Sequence, residues 1–337
     1  MGFIETIYAR ARENRQRIAI PECLNEMMLT SAVKAAADGL AEVVLVEDMV
    51  RIEAFAMEKD IDISGLSIAD NSDEAFINDL ADRFSENIDS MFSRKTIRKR
   101  MRSPLYTALV MEALGDVDCT FGGLDTTTYE FILAAQGIIG LEDNCNTASA
   151  MLIYEMSYFE GEQGKVFGMS DGAICIDPDV EQLSSIALSC CDTFEALTGR
   201  EARCAMVSYS TDGSGSSPDA AKMAEAARLA RSIRPEAKID GEFQSDAALI
   251  PRVAAKKVKR ESDVAGRANV LVFPTAAACN IGTKLLQIFA DCKSYGPVYQ
   301  GFRKPILECS RGDTEERIYD NIALACVCAG GKKVTAI

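Results

Sequence analysis

Short apolar runs alternate with stretches of helical periodicity along the 337 residues. Arg17-Ile18-Ala19-Ile20-Pro21 reads as a first strand, followed by a helix over Leu29 to Asp38 and a strand at Val43 to Val46. Cys204 to Ser208 and Asn269 to Phe273 read the same way, with helical patterns at Ala220 to Ser232 and Ile281 to Ala290. Strands that are apolar on both faces, alternating with helices, predict an α/β fold built on mostly parallel sheets. The length exceeds one ordinary core and predicts two domains. There is no repeat and no Pro/Gly/Ser-rich linker, so the chain is expected to cross between the domains more than once.

Composition narrows the chemistry. The net charge of −15 disfavours nucleic acid and anionic membrane surfaces as partners. An anionic substrate would need a local basic pocket. No apolar run reaches the length of a membrane span, and the charged N-terminal stretch lacks an apolar core of the signal-peptide kind. The twelve cysteines lie in apolar stretches without any CxxC, which predicts buried free thiols in a reducing cytoplasm and no zinc site. There is no histidine. Imidazole bases, Ser-His-Asp triads and histidine-ligated metals are therefore excluded, and acid–base work falls to Asp, Glu, Lys, Tyr or Cys.

Three segments carry candidate chemistry. In Ser208-Tyr209-Ser210-Thr211-Asp212-Gly213-Ser214-Gly215-Ser216-Ser217-Pro218 a strand runs into a Gly/Ser loop, with Ser217 as N-cap and Pro218 at the first helical position. Its free N–H groups and hydroxyls suit phosphate, although it is no Walker loop, and taken alone a flexible, well-capped connection explains it better. Phe273 to Lys284 is a second strand–small-residue loop–helix segment, where Asn280 is positioned to donate to a carbonyl or phosphate. In the third, Ser310-Arg311-Gly312 precedes a helix and offers a planar fork of donors to an anion. Asp313 and Glu316 have capping-box spacing. Basic clusters at Arg94 to Arg102 and Lys256 to Arg260 read first as solvated surfaces.

Together these segments resemble the phosphate acetyltransferase family. Ser-Tyr-Ser-Thr-Asp-Gly-Ser is similar to its Ser-Phe-Ser-Thr-Lys-Gly-Ser, and Asp240-Gly241-Glu242-Phe243-Gln244-Ser245-Asp246-Ala247-Ala248 to its Asp-Gly-Glu-Leu-Gln-Phe-Asp-Ala-Ala. Val264 to Val270, Asn280-Ile281-Gly282, Gly296-Pro297, Gln300-Gly301, Lys304-Pro305 and Ser310-Arg311-Gly312 follow in the family's order. Ile18 to Glu22 and Gly115-Asp116 also fit. The resemblance implies two α/β domains with a cleft between them. The first would be discontinuous, residues 1–140 plus 300–337, and the second, residues 141–299, inserted. It implies a homodimer and the reaction acetyl-CoA + phosphate = CoA + acetyl phosphate. Coenzyme A, phosphate and acetyl or another short acyl phosphate are then the partners, with CoA a substrate and no permanently bound cofactor or metal.

Carried over by position, the resemblance implies Ser310 and Arg311 as substrate-contacting residues, and Thr211, Gly213, Ser214, Asn280 and Gly282 around CoA. Elsewhere the chain departs from the family. Arg317 stands where the family has its catalytic aspartate, leaving Glu316 as a substitute base. Ile132 and Ile288 stand where it has substrate arginines, and Asp125 where it has a histidine. Its first-domain arginine has only Arg83 as a counterpart. These exchanges predict weakened or altered acyl transfer. The alternative is a catalytically degenerate paralogue that binds CoA or an acyl phosphate, or serves as a structural or regulatory subunit.

Overall fold

The computed structural model describes residues 2–88, 90–143, 145–159 and 161–331. It divides into two compact units. One runs from the N-terminus to Leu141 and resumes at Phe302–Gly331, and the other is Glu142–Gly301. The chain leaves the first unit one residue after the anticipated 140 and returns two after 300; residues 332–337, assigned from the sequence to the first domain, lie outside the described residues.

The first unit begins with α1 (Phe3–Glu13), β1 (Arg17–Ile20), α2 (Glu26–Ala37), β2 (Glu42–Val46), α3 (Met49–Glu58) and β3 (Ser67–Ala69). It continues through α4 (Glu74–Asn87), α5 (Arg94–Arg100), α6 (Pro104–Leu114), β4 (Cys119–Gly122) and α7 (Thr128–Ile138). In the second unit the chain forms β5 (Ser149–Met156), β6 (Val166–Ser170), α8 (Val180–Thr198), β7 (Arg203–Val207), α9 (Pro218–Ile233) and β8 (Lys238–Phe243). Then come α10 (Ser245–Leu249), α11 (Pro251–Lys257), β9 (Val270–Val272), α12 (Ala276–Phe289) and β10 (Cys292–Gln300). It returns to the first unit as β11 (Ile306–Glu308) and α13 (Glu315–Gly330).

The first unit's strands lie in the order β3-β2-β1-β4-β11, and every pairing among them is parallel. Ile18, Ala19 and Ile20 on β1 and Val43 to Val46 on β2 are buried, as central parallel strands covered by helices require. Helices α1, α2 and α13 form one group against this sheet, and α4, α6 and α7 another. The second unit's order is β10-β5-β6-β9-β7-β8. Here β10, β5 and β6 pair antiparallel, whereas β6, β9, β7 and β8 are parallel neighbours. Tyr154, Phe167, Ala205, Phe243, Val264 and Leu271 share one of its core clusters. In both units the loops after the parallel strands gather at the carboxyl edge of the sheet, the usual place for a site in this architecture.

The twelve cysteines are free thiols, buried or half-buried. Desolvation raises the thiols of Cys23 and Cys279 to about 12, which makes them inert packing groups. Among the described residues no helix is long and apolar enough to cross a membrane.

Candidate active site

In the first unit, three carboxyl-edge loops meet. Glu22 follows β1 and is buried. Its carboxylate accepts from the backbone N–H groups of Gly123 (2.8 Å), Leu124 (2.6 Å) and Thr126 (2.9 Å) in the β4–α7 loop. Thr127 then caps α7 in a reciprocal box with Glu130, and the Thr128 hydroxyl donates to Glu308 at the end of β11. Gly123 has φ +104, and a Cβ there would stand 2.7 Å from the Cys309 carbonyl oxygen. Only glycine lets the two loops approach so closely. Cys309 leads directly into Ser310 and Arg311, both exposed.

The Ser310–Arg311 loop is held from beneath by Asp313. The Ser310 N–H donates to Asp313 Oδ2 at 2.8 Å and the Asp313 N–H to the Ser310 carbonyl at 2.9 Å. Asp313 Oδ1 pairs with Arg317 Nη1 at 3.1 Å, with the Asp313 side chain 1% exposed and that of Arg317 36%. The loop thus presents the Ser310 hydroxyl and the Arg311 guanidinium to solvent, above a neutralised carboxylate and the N-terminus of the 16-residue α13.

Several readings made from the sequence are corrected here. The N-cap of α13 is Thr314, whose side chain accepts from the Arg317 N–H; Asp313 orders the preceding turn, so the capping-box role fails. Glu316 is exposed, lies about 100° around the helix from Arg317 and shares a face with Asp320, the acceptor of the Tyr8 hydroxyl on α1. Burial, then Asp320, and to a smaller extent Glu316 hold that hydroxyl above its usual range. Glu316 therefore belongs to the α1 side of α13 and makes a poor stand-in for the base. Arg83 pairs with Asp116 at 2.6 Å and with Asp79 at 3.4 Å. The Asp116 carbonyl is bonded by Arg17 at the start of β1, so Arg83 sits at the amino edge of the sheet, opposite Ser310. Ile132 is buried in α7, with 8% exposure. In the basic cluster at Arg94 to Arg102, Arg94 pairs with Asp82, and Arg98 and Arg102 pair with Glu74, in keeping with the solvated-surface reading.

The remaining site candidates lie in the second unit. Thr211, Gly213 and Ser214 occupy the β7–α9 loop, and Ser217 caps α9 ahead of Pro218. The loop's amides are largely satisfied internally. Thr211 N–H donates to the Ser214 hydroxyl (3.0 Å), Gly213 N–H to Glu242 Oε1 (2.8 Å) and Gly215 N–H to the Ser210 hydroxyl (2.9 Å). The loop is therefore not the open phosphate cradle read from the sequence, because a buried carboxylate at the end of β8 fills the place of the anion. Asp212 pairs with Arg260 at 2.9 Å. Arg260 also holds Asp240 at 2.7 Å. Against its burial, Arg260 and Ser262 keep Asp240 below the usual carboxylate range.

Asn280 and Gly282 are not in a loop. They lie inside α12, which Thr275 caps, and the Asn280 amide donates to the Gly172 carbonyl at 3.3 Å. Gly172 follows Asp171, whose carboxylate takes the N–H groups of Ala173, Ile174 and Cys175; burial nevertheless raises its proton affinity. Ile288, 72% exposed, falls in an apolar stripe with Ile281, Leu285 and Phe289. Glu22, Asp171 and Glu242 were not singled out as functional residues from sequence. The available signal was an acidic residue at or just beyond the end of a strand.

The motifs thus lie on carboxyl-edge loops and on α12, inside an architecture that can be compared with known proteins. The family model described as "Phosphate acetyl/butaryl transferase" matches residues 2–326. This chain belongs to that family. It is 34% identical over 330 residues to the phosphate acetyltransferase of Acetivibrio thermocellus, covering 98% of each chain. With that of Clostridium acetobutylicum it shares 36% over 334 residues, covering 98% of this chain and 99% of the relative. A phosphotransacetylase from Streptococcus pyogenes superposes with a TM-score of 0.89 at 26% identity, over 97% of this chain and 98% of that one. Membership fixes the frame in which Ser310, Arg311 and Arg317 are read.

Proposed function

We propose that this member of the family moves a short acyl group between coenzyme A and phosphate, with the phosphate end of the substrate on Ser310 and Arg311, and that it does so far more slowly than an ordinary member. The observation that carries the reading is the Asp313–Arg317 ion pair beneath the Ser310–Arg311 loop. Of the anion-binding groups, Ser310 and Arg311 are retained and exposed. The position that should take the thiol proton holds a guanidinium, which has no acceptor capacity, and the carboxylate four residues earlier, Asp313, is buried, ion-paired with Arg317 and bonded by the Ser310 N–H. Attack on the acyl carbonyl then relies on the few per cent of CoA that is already thiolate near neutral pH, since a free thiol titrates near ~8.5. Replacing arginines by Ile132 and Ile288 removes two further cations from phosphate recognition.

Coenzyme A enters as a substrate in this reading, without a permanently bound cofactor, and the working compartment is the cytoplasm. A homodimer is part of the same proposal. Ile281, Leu285, Ile288 and Phe289 form a stripe at helical spacing on α12, and α12 carries a single charged residue, Lys284. A chain of net charge −15 meets a second copy most readily through so neutral a face.

The test is acetyl-CoA formation from acetyl phosphate and CoA by the purified protein and by the double variant D313N/R317D. Arg317→Asp alone would set two carboxylates at i, i+4, which repel; exchanging both positions restores a carboxylate without that clash. We expect the double variant to gain at least tenfold in kcat. A double variant that folds normally and is no faster than the parent would overturn the missing-base explanation.

A further inference from the structure

The second unit holds a pocket of about 610 Å³ over the start of α9, lined by Gly213, Gly215, Ser217, Ala221, Ala224 and Glu242 among others. Its topology is a parallel strand, β7, a loop with Gly213-Ser214-Gly215, a helix, α9, and the neighbouring parallel strand β8 with an acid at its end. In nucleotide-binding βαβ units that last acid accepts from a ribose hydroxyl. Here Glu242 is 95% buried, with 5% exposure. Its Oε1 accepts from the Ser210 hydroxyl (2.8 Å) and the Gly213 N–H (2.8 Å). The side-chain bonds of Glu242 among the described residues both fall on Oε1, which leaves Oε2 without one, and the residue lines the pocket.

The surroundings decide what this oxygen can take. The amides of Thr211, Gly213 and Gly215 are spent within the loop and on Glu242. The nearby cations are also committed, Arg260 to Asp212 and Asp240 and Lys257 to Asp246. A phosphate would meet an uncompensated carboxylate. A neutral group that donates hydrogen bonds would satisfy it, and the small side chains of Ala221 and Ala224 leave room for a sugar ring.

We infer that this pocket binds the ribose of a nucleoside or nucleotide whose 2′- and 3′-hydroxyls are free, with Glu242 Oε2 as the acceptor, and that this ligand is distinct from coenzyme A. The ribose of CoA carries a 3′-phosphate, which would place an anion against Glu242. The inference does not rest on acyl transfer, and its test needs no turnover.

The probe is adenosine, followed by titration calorimetry on the full chain. Adenosine should bind, and 2′,3′-dideoxyadenosine should bind at least tenfold more weakly. Glu242→Gln keeps an acceptor for Gly213 and Ser210 and should weaken adenosine at least tenfold with little change in melting temperature. Should that variant misfold, Ala221→Leu fills the pocket from the helix side and should also abolish binding. Saturating CoA should leave adenosine bound. The inference is overturned if adenosine does not bind at millimolar concentration, if the dideoxy nucleoside binds equally well, if a folded Glu242→Gln or Ala221→Leu variant binds adenosine as the parent does, or if CoA displaces adenosine.

Discussion

At the scale of single residues, the account turns on position 317. The sequence has an arginine at 317, and in the proposed reading this position should carry the proton acceptor, so its loss is inferred from the motif alone. The fate of Asp313 is not. Its three-residue spacing from Glu316 resembles a cap, and only the fold reveals that it holds the Ser310 N–H and pairs with Arg317. Asp313→Ala should therefore release the Ser310–Arg311 turn and leave Arg317 unpaired. Because Arg317 is partly exposed, the cost should be modest, about 1–2 kcal/mol in denaturant unfolding, together with weakened phosphate binding. A variant of unchanged stability and unchanged KM for phosphate would contradict the role given to Asp313. Glu112 makes a second case. It is fully enclosed in α6, and its carboxyl oxygens make no hydrogen bond among the described residues. Burial pushes its carboxyl up to about 8, against smaller pulls from Thr120 and Lys304. The folded state thus keeps a proton that the unfolded chain gives up above its ordinary carboxyl range. The stability contributed by this group is complete below about pH 4.5 and declines as pH rises toward 8. Glu112→Gln should flatten that decline in unfolding free energy between pH 5 and 8. Parallel pH profiles for parent and variant would refute it.

Among elements, the strands and the α9 cap were readable because their signals are local: continuous apolar runs at Ile18–Ile20 and Val43–Val46, and Ser217-Pro218 at a helix start. The start of α12 departs from the small-residue loop expected at Ala276-Ala277-Ala278: alanine is the strongest helix former, and Thr275 supplies the cap. That shift carries Asn280 and Gly282 into a helix and Ile288 into an apolar stripe. The closeness of the β4–α7 and β11–α13 loops was not legible either, since it depends on residues 186 positions apart. Gly123→Ala would push a methyl group into the Cys309 carbonyl in a backbone conformation that alanine resists, and should cost at least ~2 kcal/mol of stability. A melting temperature equal to the parent's would count against this packing. On α12, Leu285→Arg and Phe289→Arg together should give a monomer by light scattering at micromolar concentration if the stripe is the dimer face. A parent protein that is already monomeric would contradict the proposed assembly.

For the whole molecule, the ordered motifs spread over the chain identify the fold because a discontinuous first unit and an inserted second one require that order. The sequence could not show how strongly the acidic balance is met internally. Glu22, Asp171, Asp313 and Glu242 each take backbone N–H groups at carboxyl-edge loops, and at Glu242 and Asp313 the carboxylate takes N–H groups of segments that the motifs offered to phosphate. Family membership stands, and Ser310 and Arg311 are exposed; the proposed reading adds that the proton acceptor and two substrate arginines are gone. Losing a single donor to developing charge costs ~3–4 kcal/mol of transition-state stabilisation. The most direct test is the rate of acetyl-CoA formation from acetyl phosphate and CoA, measured side by side for this protein and the Clostridium acetobutylicum relative at saturating substrates. The account predicts a kcat at least ~100-fold lower for this chain; equal rates would contradict it.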